Sequence, residues 1–168
     1  TPGFGHLVEE RIGPPFRANW RYQPCNFNHA PEARVEIFGY YTDILSNVLD
    51  MARLGWLWCN WGRWKDQQLI PEAWLHEATQ TAPHIRATCP REQWKYGYAF
   101  WTNDHGRLLP NLPRDCYAAA GLYGIALIFV CPSLDLVVAH NPGLFLDRPN
   151  ESENKVRGLL RLIVDACV

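Results

Sequence analysis

The chain has 168 residues, 48% hydrophobic and 20% charged, with 16 basic against 17 acidic side chains. That length and balance suit one globular domain over residues 1–168 with a core of its own, and they exclude a disordered chain. A net charge of −1 offers no basic surface for neutralising phosphates, so no nucleic-acid partner is expected. No apolar run reaches the roughly 18 residues that cross a bilayer, and the first residues lack the charged-then-apolar order of a secretory signal, so a soluble chain without a membrane span is expected.

Residues 1–33 are rich in proline, glycine and arginine and read mostly as loop, with only residues 6–12 suiting the end of a helix. Asn47 suits a helix N-cap, because Asp50 three residues later can reach back to the free backbone amides. Val48, Met51, Ala52, Gly55 and Trp58 or Cys59 then recur every three to four residues, predicting a core helix that stops at Gly62. Residues 62–66 read as a turn. Pro71 suits the first position of a second helix through about Thr79, with Ala73, Trp74 and Ala78 available for packing, and the two helices are expected to form a hairpin.

Beyond a polar stretch holding Pro83 and Pro90, the aromatic residues 96–101 read as a strand, followed by a turn at Asn103-Asp104-His105-Gly106. A second strand covers residues 117–120 and 123–130, broken by Gly121 and Gly124, and Pro132-Ser133 links it tightly to a third over residues 134–140. Such apolar strands imply an antiparallel three-stranded meander covered on both faces. A last helix, capped by Asn150 or Ser152, is predicted to lay Val156, Leu159, Leu160, Ile163 and Ala166 over one face. The order is that of an α+β fold.

Six cysteines, at positions 25, 59, 89, 116, 131 and 167, are widely spaced and form no Cys-x-x-Cys pair, so neither a disulfide framework nor a zinc site follows from spacing. Cys59 and Cys131 lie in apolar segments and read as small buried hydrophobes. His76-Glu77 is followed by Gln80 where a zinc protease needs its second histidine, so no metal or other cofactor is expected, and His140 reads as a polar strand end. Ser152-Glu153-Asn154-Lys155 is the single Ser-x-x-Lys. It suits an N-cap followed by a solvated lysine, the alternative being a nucleophile with its lysine. Thr1 raises the further alternative of an N-terminal nucleophile, while Ser46 and Ser133 read as the start of a helix and a turn. Trp56, Trp58, Trp61 and Trp64 stand at helical spacing, which favours packing over a platform for a sugar or aromatic ligand.

The segment 39–71, with Asp50-Met51-Ala52-Arg53-Leu54-Gly55 at its centre, and the segment 115–138 together resemble the serine β-lactamase-like or penicillin-binding-protein-like hydrolases. That group includes class C-type β-lactamases, esterases and 6-aminohexanoate-dimer hydrolases. Residues 7–16 also look like the place where the family ends a helix and enters a proline turn. The likeness covers most of residues 37–168 and implies the C-terminal part of that fold: helical hairpin, three-stranded meander and packing C-terminal helix.

In the family an upstream Ser-x-x-Lys serine forms an acyl-enzyme. No such upstream motif is present, so this chain alone is expected to be inactive. Gly121 matches the glycine of the third active-site motif, and Leu122 would supply the backbone N–H that holds the oxyanion, which makes Gly121, Leu122, Tyr123 and Gly124 the oxyanion and substrate-edge strand. Ala119 and Ala120 take the places of the family's charged and hydroxylic motif residues, a departure that bears on substrate. The alternative for these glycines is a bend or bulge in a packed strand. The implied partner is a small-molecule ester, amide or β-lactam once an N-terminal half completes the site. The alternative is a non-catalytic binding or self-associating module, for example a homodimer.

Overall fold

The computed structural model describes residues 10–25, 41–121, 126–140 and 149–167. By its internal contacts the chain divides into two units, Thr1–Asp50 and Met51–Val168. In the first, Glu10 and Arg11 are helical and Pro14–Phe16 forms a 3-10 turn, closed by the Arg17 N–H donating to Pro14 O at 3.0 Å. A helix that ends at a proline turn is the expected arrangement here. Buried Phe16 meets the edge of Trp20 at 5.3 Å between ring centroids.

Strands β1 (Arg21–Cys25) and β2 (Tyr41–Leu45) pair antiparallel, Arg21 opposite Leu45 and Cys25 opposite Tyr41. The sequence reads as loop over β1. Pro24 conceals the strand, because a residue without an N–H argues against a ladder although a two-stranded ribbon tolerates it.

Helix α1 (Val48–Cys59) starts as its sequence requires. The Asp50 N–H donates to Asn47 Oδ1 at 2.9 Å, and Asn47 Nδ2 donates back to Asp50 Oδ2 at 2.8 Å. The same carboxylate oxygen accepts the Asn19 N–H at 2.9 Å, which satisfies a side chain only 1% exposed. The helix stops at Cys59, three residues before Gly62. Gly62 has φ +83°, and its carbonyl accepts the N–H groups of Leu69 and Ile70 at 2.8 and 3.2 Å. A side chain there would meet the Ile70 carbonyl oxygen, so only glycine suits this turn.

The turn expected at residues 62–66 is a miniature ribbon, β3 (Arg63–Trp64) against β4 (Gln67–Gln68), which joins α1 to α2 (Glu72–Ala78). Pro71 precedes α2 by one position. Residues 83–88, read from sequence only as polar, form a further short helix, α3 (Pro83–Thr88). It has no buried residue, hence no apolar stripe to announce it.

The main sheet has four antiparallel strands in sequence order, β5 (Trp101–Thr102), β6 (Tyr117–Ala120), β7 (Leu127–Cys131) and β8 (Leu136–His140), which corrects the expected three. The segment read as one strand with a bend folds back on itself. Its register runs from Tyr117 opposite Val130 to Ala120 opposite Leu127, and the Gly121 N–H donates to Ala126 O at 2.8 Å. The expected first strand shrinks as well, since residues 97–100 form a tight turn closed by the Gly97 N–H on Phe100 O at 2.8 Å.

Period-two alternation sorts the strands onto two cores. Cys116, Ala118, Leu127, Phe129 and Cys131 face α4 (Pro149–Asp165), which buries Val156, Leu160 and Val164. Tyr117, Ile128 and Val130 face α1 and α2, with Cys59, Phe100 and Ala78. Both faces are thus covered, as expected, and mixed helix and antiparallel sheet make the fold α+β. The stripe on α4 differs from the predicted one: Val164 is buried while Leu159 is 40% exposed, so the helix is turned by part of a residue step. On the other face Gly55 lets α1 approach the sheet, because a Cβ there would lie 2.5 Å from Val137 Cγ1 and 2.7 Å from Ile128 Cγ2. Among the described residues no helix is long and apolar enough to cross a membrane.

Candidate functional site

Gly121 directly follows β6 and is exposed. It lines a cavity of about 240 Å³ beside the α4 face of the sheet, together with Ala120, Trp101, Leu109, Lys95 and Arg157. Most of the wall is apolar, with half-buried Lys95 and Arg157 as its two cationic side chains among the described residues. The Arg157 guanidinium donates to Leu108 O at 3.2 Å, which ties α4 to the cavity wall. Among the described residues, a Cβ at Gly121 would touch nothing closer than 3.7 Å, so they do not demand a glycine by crowding. The Gly121 N–H is bonded to Ala126 O, and the glycine leaves open space beside the backbone on the cavity side. Leu122, Tyr123 and Gly124, the other residues expected at the substrate edge, lie outside the described residues.

At the far end of the same two strands stands a second group of reactive side chains. The Asp115 carboxylate and the Cys116 and Cys131 sulfurs all lie within 4.8 Å of one another. Cys131 is the more acidic thiol of the pair. The hydrogen bond with Cys116 lowers it first, helped by Ser133 Oγ and the Leu134 N–H, against the cost of burial. The proton held between the sulfurs raises Cys116 far above the ordinary thiol value, and burial adds to this. Asp115 is the cap of the β7–β8 connection, accepting the Ser133 N–H at 2.6 Å and its hydroxyl at 3.0 Å. Sequence spacing conceals this group, because Cys116 and Cys131 meet only through strand register.

Cys59 is buried as expected, and burial pushes its thiol up to about 11. Among the five cysteines whose side chains are described, half-buried Cys89 and exposed Cys167 are therefore expected to react first with a thiol-specific disulfide reagent on the folded protein. Cys59, Cys116 and Cys131 are expected to react only on unfolding, a difference that thiol counting with and without denaturant measures.

The remaining sequence candidates are dispersed. Ser133 sits in the turn Pro132–Leu134, and Ser46 precedes α1 with its hydroxyl on Asn47 O at 3.2 Å. Ser152 falls within α4, its side chain outside the described residues, and Thr1 is outside them altogether. His76 stacks on Trp61 at 3.8 Å and lies 3.5 Å from Glu72, while His140 ends β8. The tryptophans point in different directions. Trp58 packs edge-on against Phe100 at 5.0 Å and Trp56 is 43% exposed, so they form no common platform.

No protein-family model matches the chain, and no curated protein matches it.

Proposed function

We propose that this chain is the C-terminal portion of a serine β-lactamase-like hydrolase, whose parent enzyme cleaves an ester, amide or β-lactam through a serine acyl-enzyme. The observation that carries the reading is Gly121: an exposed glycine at the end of a sheet strand, beside a cavity, at the position that the sequence likeness assigns to the third active-site motif. A sheet with α1 and α2 on one face and the C-terminal helix α4 on the other supports it further. In this role the strand edge holds substrate against backbone, and the next N–H faces the negative charge that develops on the carbonyl oxygen. The nucleophile comes from a segment not included in these residues. Alanines at 119 and 120 supply no charged or hydroxylic contact from the strand itself, which leaves Lys95 and Arg157 in the cavity wall as the charged groups a substrate would meet.

The test is p-nitrophenyl ester hydrolysis by the chain alone and by the chain joined to an upstream half carrying Ser-x-x-Lys. The chain alone is expected to be inert and the joined protein active, with Gly121→Val in the joined protein lowering kcat/KM about 100-fold. A joined, folded protein without turnover overturns the reading. So does turnover by the chain alone that Ser152→Ala or removal of Thr1 abolishes.

One observation favours a second reading, a self-associating module. Among the described residues β8 pairs only with β7, and its residues Leu136 to His140 are all half-buried without a charge or proline to block a further strand. Sedimentation of the chain alone separates the two: a stable dimer that Ala139→Lys, outside both core clusters, dissociates into folded monomers supports this module.

A further inference from the structure

We propose that Asp115, Cys116 and Cys131 form a binding site for a thiophilic divalent cation such as zinc, with Ser133 at its open side. The two cysteines oppose each other one step beyond the last pair of the β6–β7 ladder, Tyr117 against Val130. The Cys116 N–H goes to Pro113 O at 3.3 Å, and its carbonyl accepts the Asn103 N–H at 3.0 Å, so no ladder bond ties it to Cys131. Cross-strand positions without ladder bonds bring side chains closest together. The sulfurs are 1% and 0% exposed by residue, while Asp115 is half-buried and Ser133 exposed, so the group opens to solvent on its oxygen side.

Two sulfurs and a carboxylate oxygen within 4.8 Å are the donor set of a soft cation with an open fourth position. Zinc–sulfur bonds of about 2.3 Å in a tetrahedron place two sulfurs roughly 3.8 Å apart, inside the observed spread. Among the described residues, Asp115 forms no ion pair with a lysine or arginine. A divalent cation replaces the protons of the two thiols, which leave to solvent, and its charge balances two thiolates while the carboxylate completes the protein ligands. The site stands at the opposite end of the β6–β7 hairpin from Gly121, and it holds whether or not the chain belongs to a serine hydrolase.

The test uses reduced protein carrying Cys25→Ser, Cys89→Ser and Cys167→Ser, so that no thiol outside the two cores contributes, titrated with Cd2+ alone and with Zn2+ alone. One equivalent of Cd2+ is expected to give a saturable sulfur-to-cadmium charge-transfer band, and Zn2+ to displace it. Cys116→Ser and Cys131→Ser should each remove the band and weaken Zn2+ about 100-fold. Asp115→Asn, on the solvent side, should weaken Zn2+ about tenfold with unchanged circular dichroism, which keeps the test decisive even where a cysteine variant fails to fold. No band at one equivalent overturns the site. A band that survives both cysteine variants does the same, as does Zn2+ affinity untouched by Asp115→Asn.

Discussion

Asn103→Ala is expected to lower the unfolding free energy by about 3 kcal/mol, because one fully buried side chain satisfies four backbone groups of the long β5–β6 connection. Its Nδ2 donates to Leu109 O at 3.0 Å, Leu112 O at 3.3 Å and Pro113 O at 2.9 Å, while its Oδ1 accepts the Leu109 N–H at 2.8 Å. These bonds fold residues 104–116 back so that Leu112 enters the core under α4 and Cys116 arrives opposite Cys131. Alanine removes the donors and acceptor together and leaves the buried Leu112 carbonyl without its Asn103 donor, while Leu109 O and Pro113 O keep the N–H groups of Leu112 and Cys116. Asn103→Asp should be no better, since a carboxylate supplies no N–H. Urea denaturation followed by tryptophan fluorescence measures the loss. A midpoint equal to that of the unmodified protein would mean that the connection is held by something else.

The second large effect is expected at Gly97, which packs where α2 ends. A Cβ there would press on the backbone carbonyl oxygens of Ala78 and Gln80 at once. Backbone yields less readily than the tip of a side chain, so Gly97→Ala should cost about 3 kcal/mol, at the upper end of overpacking effects. The clash would also break two contacts that dock the turn before β5: the Tyr98 N–H on Ala78 O at 3.2 Å and the Ala82 N–H on Tyr96 O at 3.0 Å. Thermal unfolding of Gly97→Ala beside Gly158→Ala provides the comparison, because a Cβ at Gly158 meets nothing within 4 Å among the described residues. Gly158→Ala lies mid-helix in α4 and should be neutral to stabilising by up to about 1 kcal/mol. Equal losses in the two variants would refute the close approach at Gly97.

Gly97 also illustrates why part of the fold escapes a reading by pattern. The aromatic run around it has the composition of a strand, yet tertiary contact with the end of α2 bends it into a turn and leaves two residues of β5. Composition reports what a segment can bury. It does not report which neighbour it meets. The same distinction explains the strand count: Gly121 signals a break in an apolar run, but whether the chain bends or reverses depends on the pairing of Tyr117 with Val130, a long-range choice. Of the candidate site, the exposed glycine at the strand edge is legible as a motif position. The cavity beside it is not, because Lys95 and Trp101, on either side of one turn, meet Arg157 from the distant C-terminal helix.

The sequence by itself determined what depends on neighbouring residues: the reciprocal cap between Asn47 and Asp50, the turn closed by the Gly106 N–H on Asn103 O at 2.7 Å, and the apolar period of strands buried on both faces. Backbone geometry and side-chain period act over a few residues, so they are written locally. Tertiary structure alone decided the rotation of α4 onto Val156, Leu160 and Val164, and the meeting of Asp115 and Cys116 with Cys131. Those outcomes rest on strand register and the shape of the facing core, which bring together residues that share no local signal.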